Sequence, residues 1–250
     1  MSDMGVTLSG VLVVAVLVLV LVVLVLLVAS VRLSVWSDEQ SRALTLVLFL
    51  SVAGVATTFP LFDQRVDASL APVAGENMSD LVHVLILVAR NWLIGVIALR
   101  LRDFRARIAW TALMTAIAIA MIVTSRTGHA SRYPVVDEWE LRDAPTVAYN
   151  VLYAVTVGLT CALVIAAVAE ALRGRRGIRR GPLIALAAVG VVGITYAITT
   201  ITLLIAAPDV LRDHSAVIVM AWSVPLTVSL AAAGLYGLGY PRERSASSPE

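Results

Sequence analysis

The chain contains no lysine; all nineteen of its basic residues are arginine. That absence excludes a lysine Schiff base to retinal or pyridoxal phosphate, and a Walker-type phosphate-binding lysine. Cysteine is limited to Cys161, inside an apolar run, so no intrachain disulfide framework exists. Charge is scarce as well: 14 % of residues are charged against 60 % hydrophobic, where soluble domains carry about a quarter charged. A water-soluble globular fold is therefore excluded, and the connectors between apolar runs are too short to form a separate soluble core. Arginine with abundant alanine and valine is what GC-rich codon usage produces, and no nucleic-acid partner is expected. Gly-x-Ser-x-Gly, His-Glu-x-x-His, Cys-x-x-Cys and paired intramembrane aspartates are all missing, so an enzyme ranks behind non-enzymatic readings and no cofactor is expected.

What is present is length of apolar sequence. Seven runs at 6–29, 43–62, 81–101, 108–124, 146–172, 182–207 and 216–239 approach or exceed the roughly eighteen residues that a membrane helix needs. In lipid only a helix or a closed barrel satisfies its own backbone, and uninterrupted runs of this length favour helix. The expected fold is an all-α polytopic membrane bundle of seven transmembrane helices over 1–240, with a disordered cytoplasmic tail at 241–250. The fourth run is the shortest and would be the one lost in a six-span chain. Pro182 suits a first helical turn, and Pro225, in mid-span, predicts a kink. Val28-Ala29-Ser30 resembles a signal-peptidase site, but the first ten residues carry no positive charge and the apolar run is long for a signal core.

Arginine placement orients the bundle. Thirteen arginines fall on one side: Arg32 and Arg42 after the first span, Arg100, Arg102, Arg105 and Arg107 after the third, Arg173, Arg175, Arg176, Arg179 and Arg180 after the fifth, and Arg242 and Arg244 in the tail. Five fall opposite: Arg65, Arg126, Arg132, Arg142 and Arg212. The positive-inside rule then puts the N-terminus outside and the C-terminus in the cytoplasm of a plasma-membrane protein. The cluster from Arg173 to Arg180 is explained by that rule, with anionic lipid headgroups as a natural further contact. The acidic outer loop from Asp137 to Asp143 reads first as a solvated loop and second as a lure for a cation or basic partner.

The remaining arginine, Arg90, lies within the third span. An arginine at the bilayer centre costs about 2.5–3.5 kcal/mol on insertion scales, so it is expected to face protein or water and to find acceptors. Roughly 15 Å of helix separates it from either end, too far for full snorkelling. His83 lies on nearly the same helical face and Asn91 is adjacent, yet no other span offers a carboxylate at that depth. Neutral polar residues do gather toward the outer half: Thr57 and Thr58, Tyr149, Asn150, Tyr153, Thr156 and Thr160, Thr195, Tyr196, Thr199, Thr200 and Thr202, Trp222 and Ser223. These residues either line an outward-opening pocket floored by Arg90 or bridge helices. The candidate ligand residues are Arg90, His83, Asn91, Asn150, Tyr153, Tyr196 and Trp222. His83 with Asp80 could form a proton-sensitive pair or a helix contact, and His83, His129 and His214 lack metal-ligand spacing. Small residues at Ala116 and Ala120, and at Gly190 and Gly193, predict close helix approach.

Tyr149-Asn150-x-x-Tyr153, the helix from His83 to Arg90 followed by Arg100-Leu101-Arg102-Asp103, and the short arginine-rich inner loop resemble actinobacterial seven-helix membrane proteins described only as candidate transporters. The resemblance implies transport. Set beside the residues, it leaves three readings in order: a transporter or sensor binding a small anionic ligand from outside, a structural subunit binding a protein partner, and a membrane enzyme.

Overall fold

A computed structural model describes residues 39–57, 68–69, 78–99, 104–127, 144–174 and 180–213, with further positions at 23, 26–28, 30, 221–222, 225, 228–229 and 231–232. The described residues form six helices and no strand: α1 (Glu39–Ala56), α2 (Met78–Ala98), α3 (Phe104–Thr127), α4 (Ala144–Gly174), α5 (Arg180–Ala206) and the short α6 (Pro208–Asp213). Four of them, α2 to α5, are long and apolar enough to cross a membrane. The apolar part of α1, Arg42–Gly54, is shorter than a span. Within the expected first and seventh spans, every described position is helical, from 23 to 30 and from 221 to 232. The tail at 241–250, the acidic loop at 137–143, Thr58, His129, His214 and Arg175, Arg176 and Arg179 lie outside the described residues, as does the backbone on either side of Pro225.

The outward faces show why these helices suit lipid. Along α5, Ile184, Val191, Ile198 and Ile205 recur at every seventh position and are 62 %, 54 %, 60 % and 71 % exposed. In water such a continuous β-branched stripe would be an aggregation surface. In a bilayer it meets chains of its own polarity, while the helix satisfies its backbone internally. The molecule is thus a membrane-type helical bundle.

α2 packs against α1, α3 and α4, and α4 packs against α2, α3 and most extensively α5. The main core joins Val84, Leu87 and Val88 of α2 to Trp110, Met114, Ile117 and Met121 of α3 and to Tyr149, Val157 and Cys161 of α4. The α3 contribution is a single stripe at three- and four-residue spacing, the spacing that keeps one helical face toward its neighbours. Here the structure enlarges the sequence expectation. The fourth apolar run, the shortest, extends into a helix of 24 residues because Arg105, Arg107 and Arg126 are helical rather than loop residues. A second core joins Val28 and Ala231, from the expected first and seventh spans, to Leu48 of α1 and Val189 of α5. Pro182 falls in the first turn of α5, where its missing N–H leaves no helical bond unmade.

Small residues set the closest approach. On α5, a Cβ at Gly193 would overlap Cys161 Sγ of α4, and one at Gly190 would come within 2.5 Å of Ile165 Cγ1. Across the same interface the Cβ of Ala197 lies 3.0 Å from where a Gly158 Cβ would sit. The expected close packing at Gly190 and Gly193 is present. Ala116 instead lies exposed and Ala120 half-buried, so the small pair on α3 does not mark a tight crossing. Overpacking such an interface costs about 1–3 kcal/mol. Gly193→Ala should therefore lower stability by that amount in thermal unfolding of the detergent-solubilised protein, and Cys161→Ala added to it should recover most of the loss. Equal unfolding of single and double variants would show that the Cys161 contact does not limit the crossing.

Candidate functional site

Four helices meet around the polar face of α2. His83 is buried in the first half of that helix, and its Nδ1 lies 2.6 Å from Thr57 Oγ1 at the end of α1. Thr57 Oγ1 also contacts the Gly54 carbonyl at 2.8 Å. A carbonyl can only accept, so the single hydroxyl proton of Thr57 goes to Gly54, and Thr57 must accept from His83 Nδ1–H. One face of the imidazole stacks on Tyr153 of α4, with centroids 5.9 Å apart and planes 7° from parallel, an offset arrangement. Helix ends and ring planes thus fix His83 on two sides, and its remaining nitrogen, Nε2, receives no hydrogen bond from the described residues.

Arg90 lies two turns further along the same face and is half-buried. Its charge reaches His83, Cys161 of α4 and Tyr196 of α5. The acids on the described helices, Glu39, Asp80, Glu170, Asp209 and Asp213, all lie in end turns or close to them. Among the described residues, none pairs with Arg90 and no hydrogen bond holds it. Asn91, next in sequence and 2 % exposed, has an amide Nδ2 with no acceptor among the described residues. Arg90 and Asn91 are thus neighbouring donors in an apolar bundle, with no carboxylate beside them among the described residues. A buried donor such as the Asn91 amide is ordinarily satisfied in folded proteins.

Tyr196 brings α5 to the same place. Its hydroxyl interacts with Tyr153 and lies close to Thr200 one turn on. The approach to Thr200 falls short of hydrogen-bond geometry, because Thr200 Oγ1 is buried without a partner. The cluster is therefore His83, Arg90, Tyr153 and Tyr196, with Thr57 behind the imidazole and Asn91 beside the arginine.

Other residues of the expected pocket are occupied elsewhere. Asn150 Nδ2 donates to the Thr146 carbonyl at 3.0 Å, and Thr156 and Thr160 donate to Leu152 and Thr156 carbonyls at 2.7 and 2.8 Å. Thr195 likewise donates to Val191 at 2.7 Å. These side chains satisfy themselves on their own helix. Trp222 is helical and half-buried, and no described contact joins it to the cluster. Asp80 is helical one turn before His83. The described residues contain no group of three or more potential metal ligands.

Sequence reasoning missed the polar junction of α2 with α3. Trp92 Nε1 donates to Thr111 Oγ1 at 3.0 Å, and Trp110 Nε1 donates to the Trp92 carbonyl at 3.1 Å. Gly95 makes room for it, since a Cβ there would overlap the Trp110 indole. Two tryptophans and a glycine within one turn of Trp92 were the available signal. This junction anchors the half of α2 that carries Arg90.

Compared with known proteins, the chain matches no family model, no curated protein and no solved structure.

Thr57→Val keeps the shape of the α1 end but leaves His83 Nδ1–H without an acceptor. A buried group left unsatisfied costs about 1–3 kcal/mol, and the variant should lose stability in that range by thermal unfolding in detergent. An unchanged midpoint would mean that the imidazole is held by the Tyr153 stack alone.

Proposed function

We propose that the chain is a non-enzymatic plasma-membrane protein of the transporter or sensor kind, which takes a small anion from the outer side onto Arg90. One observation carries this reading: a half-buried guanidinium in mid-helix with no carboxylate or hydrogen bond from the described residues, next to the orphan amide of Asn91. A cation kept in an apolar bundle at a cost of a few kcal/mol fits a site whose counter-ion arrives from solution. Arginine suits the task, because its fork of donors matches carboxylate or phosphate oxygens. The arginine distribution supports an N-terminus outside, seven spans, and His83 on the outer side of Arg90. The same asymmetry supports contact of the cluster from Arg173 to Arg180 with anionic headgroups.

The second reading is a partner-binding subunit whose buried polar groups join helices. The Trp92 and Trp110 junction favours it, being hydrogen bonding from helix to helix. Stability separates the two. Removing an unpaired, half-buried charge from an apolar bundle and replacing it by a packed apolar side chain leaves stability equal or raised. On the ligand reading, Arg90→Leu therefore melts at or above the wild-type temperature and loses binding of small oxyanions measured by calorimetry on the solubilised protein. If Arg90→Leu unfolds more readily and anion binding is unaltered, the arginine is structural and the subunit reading takes over.

A further inference from the structure

His83 specifies more about the ligand than its charge. The argument begins with proton count at Thr57. Its one hydroxyl proton is directed to the Gly54 carbonyl at 2.8 Å, so the 2.6 Å contact to His83 runs from Nδ1–H to the threonine oxygen. In the neutral ring a proton on Nδ1 leaves Nε2 with a bare lone pair, an acceptor. The bond from Nδ1 to Thr57 fixes which ring edge faces α1 and the offset Tyr153 ring holds the imidazole plane, so the Nε2 lone pair keeps its direction. No described residue donates to Nε2. The polar face of α2 therefore presents one hydrogen-bond acceptor and, two turns on, a guanidinium that can only donate. Seven residues span about 10 Å of axial rise, which the extended arginine side chain can shorten to the size of a small molecule.

From this we infer that the ligand is a small oxyanion which still carries a hydrogen-bond donor, the anionic oxygens on Arg90 and the donor on His83 Nε2. The inference rests on the reading of Arg90 as an anion site and narrows it. A fully deprotonated oxyanion brings only acceptors to His83 and meets lone pair with lone pair. A protonated phosphate or a hydroxy-carboxylate meets both groups with the correct sense of donation. Hydrogen-bonding sites discriminate in this manner because the analogue without the donor leaves a buried acceptor unpaired.

Two matched pairs of probes test the inference on the full chain in detergent by calorimetry: inorganic phosphate against sulfate, and 3-hydroxybutyrate against butyrate. In each pair the charge-bearing oxygens are similar and only one member has a donor. The wild type should favour the donor-bearing member of at least one pair by about tenfold or more, the scale of one good hydrogen bond, and the pair that responds identifies the source. His83→Phe, which keeps a ring to stack on Tyr153, should bring the ratio close to one while the weaker member binds as before. His83→Gln, whose amide can donate to Thr57 and whose carbonyl can accept from the ligand, should restore the preference and shows that a loss in His83→Phe is not misfolding. Equal binding within both pairs in the wild type, or a preference that survives in His83→Phe, overturns the inference. If binding shows no donor preference yet is lost in Arg90→Leu, the anion site stands and only the donor requirement falls. If none of the four probes binds, or all bind as well to Arg90→Leu, both fall.

Discussion

A guanidinium cannot share an apolar helix bundle with nothing negative beside it unless something else meets its five donors. That constraint at Arg90 orders the rest of the site. The groups its charge reaches are an aromatic hydroxyl of α5, a thiol of α4 and an imidazole of α2, all neutral groups or weak acceptors. Neutral dipoles lower the cost of a buried cation, but they do not balance it. The adjacent Asn91 amide, buried and unmatched, adds a second donor with the same need. On the proposed reading an anion from outside the chain meets both needs.

The surrounding framework explains how such a group is kept in position. α2 is held at its first half by Thr57 and Tyr153, through the imidazole of His83. In its second half it is held by two indole hydrogen bonds at the α3 junction, where Gly95 admits the Trp110 ring. Arg90 lies between these anchors. On the far wall, glycines draw α5 onto α4 at the level of Cys161, which brings Tyr196 and Tyr153 together. Rigid elements on both sides of an unpaired charge limit its freedom to relax toward water, and preorganisation of this kind favours ligand over solvent.

Much of the fold was legible in the sequence because lipid imposes one-dimensional rules. Run length marked the helices α2 to α5, and Gly190 and Gly193 marked a close helix approach whose partner, α4, only the structure identifies. The fourth run looked marginal because arginines at its ends read as loop, whereas a helix can carry long charged side chains into the interface. Arg90 and its lack of a carboxylate were also legible, since a charge in an apolar run needs no tertiary information to be conspicuous. What the sequence could not distinguish was the use of each hydroxyl and amide. Thr57 serves His83 while Thr156, Thr160, Thr195 and Asn150 serve their own helices. That choice depends on rotamer and on helix rotation, neither of which hydropathy records. The Trp92–Trp110 junction was hidden for the same reason, because an indole in a membrane helix reads equally as lipid-facing or as packed.

The most direct measurement is a crystallographic anomalous map of the protein soaked in arsenate, an oxyanion that scatters strongly and carries a donor. The account predicts a peak against the Arg90 guanidinium on the side facing His83. An Arg90 found paired with a carboxylate of the chain, with no arsenic beside it, would contradict it.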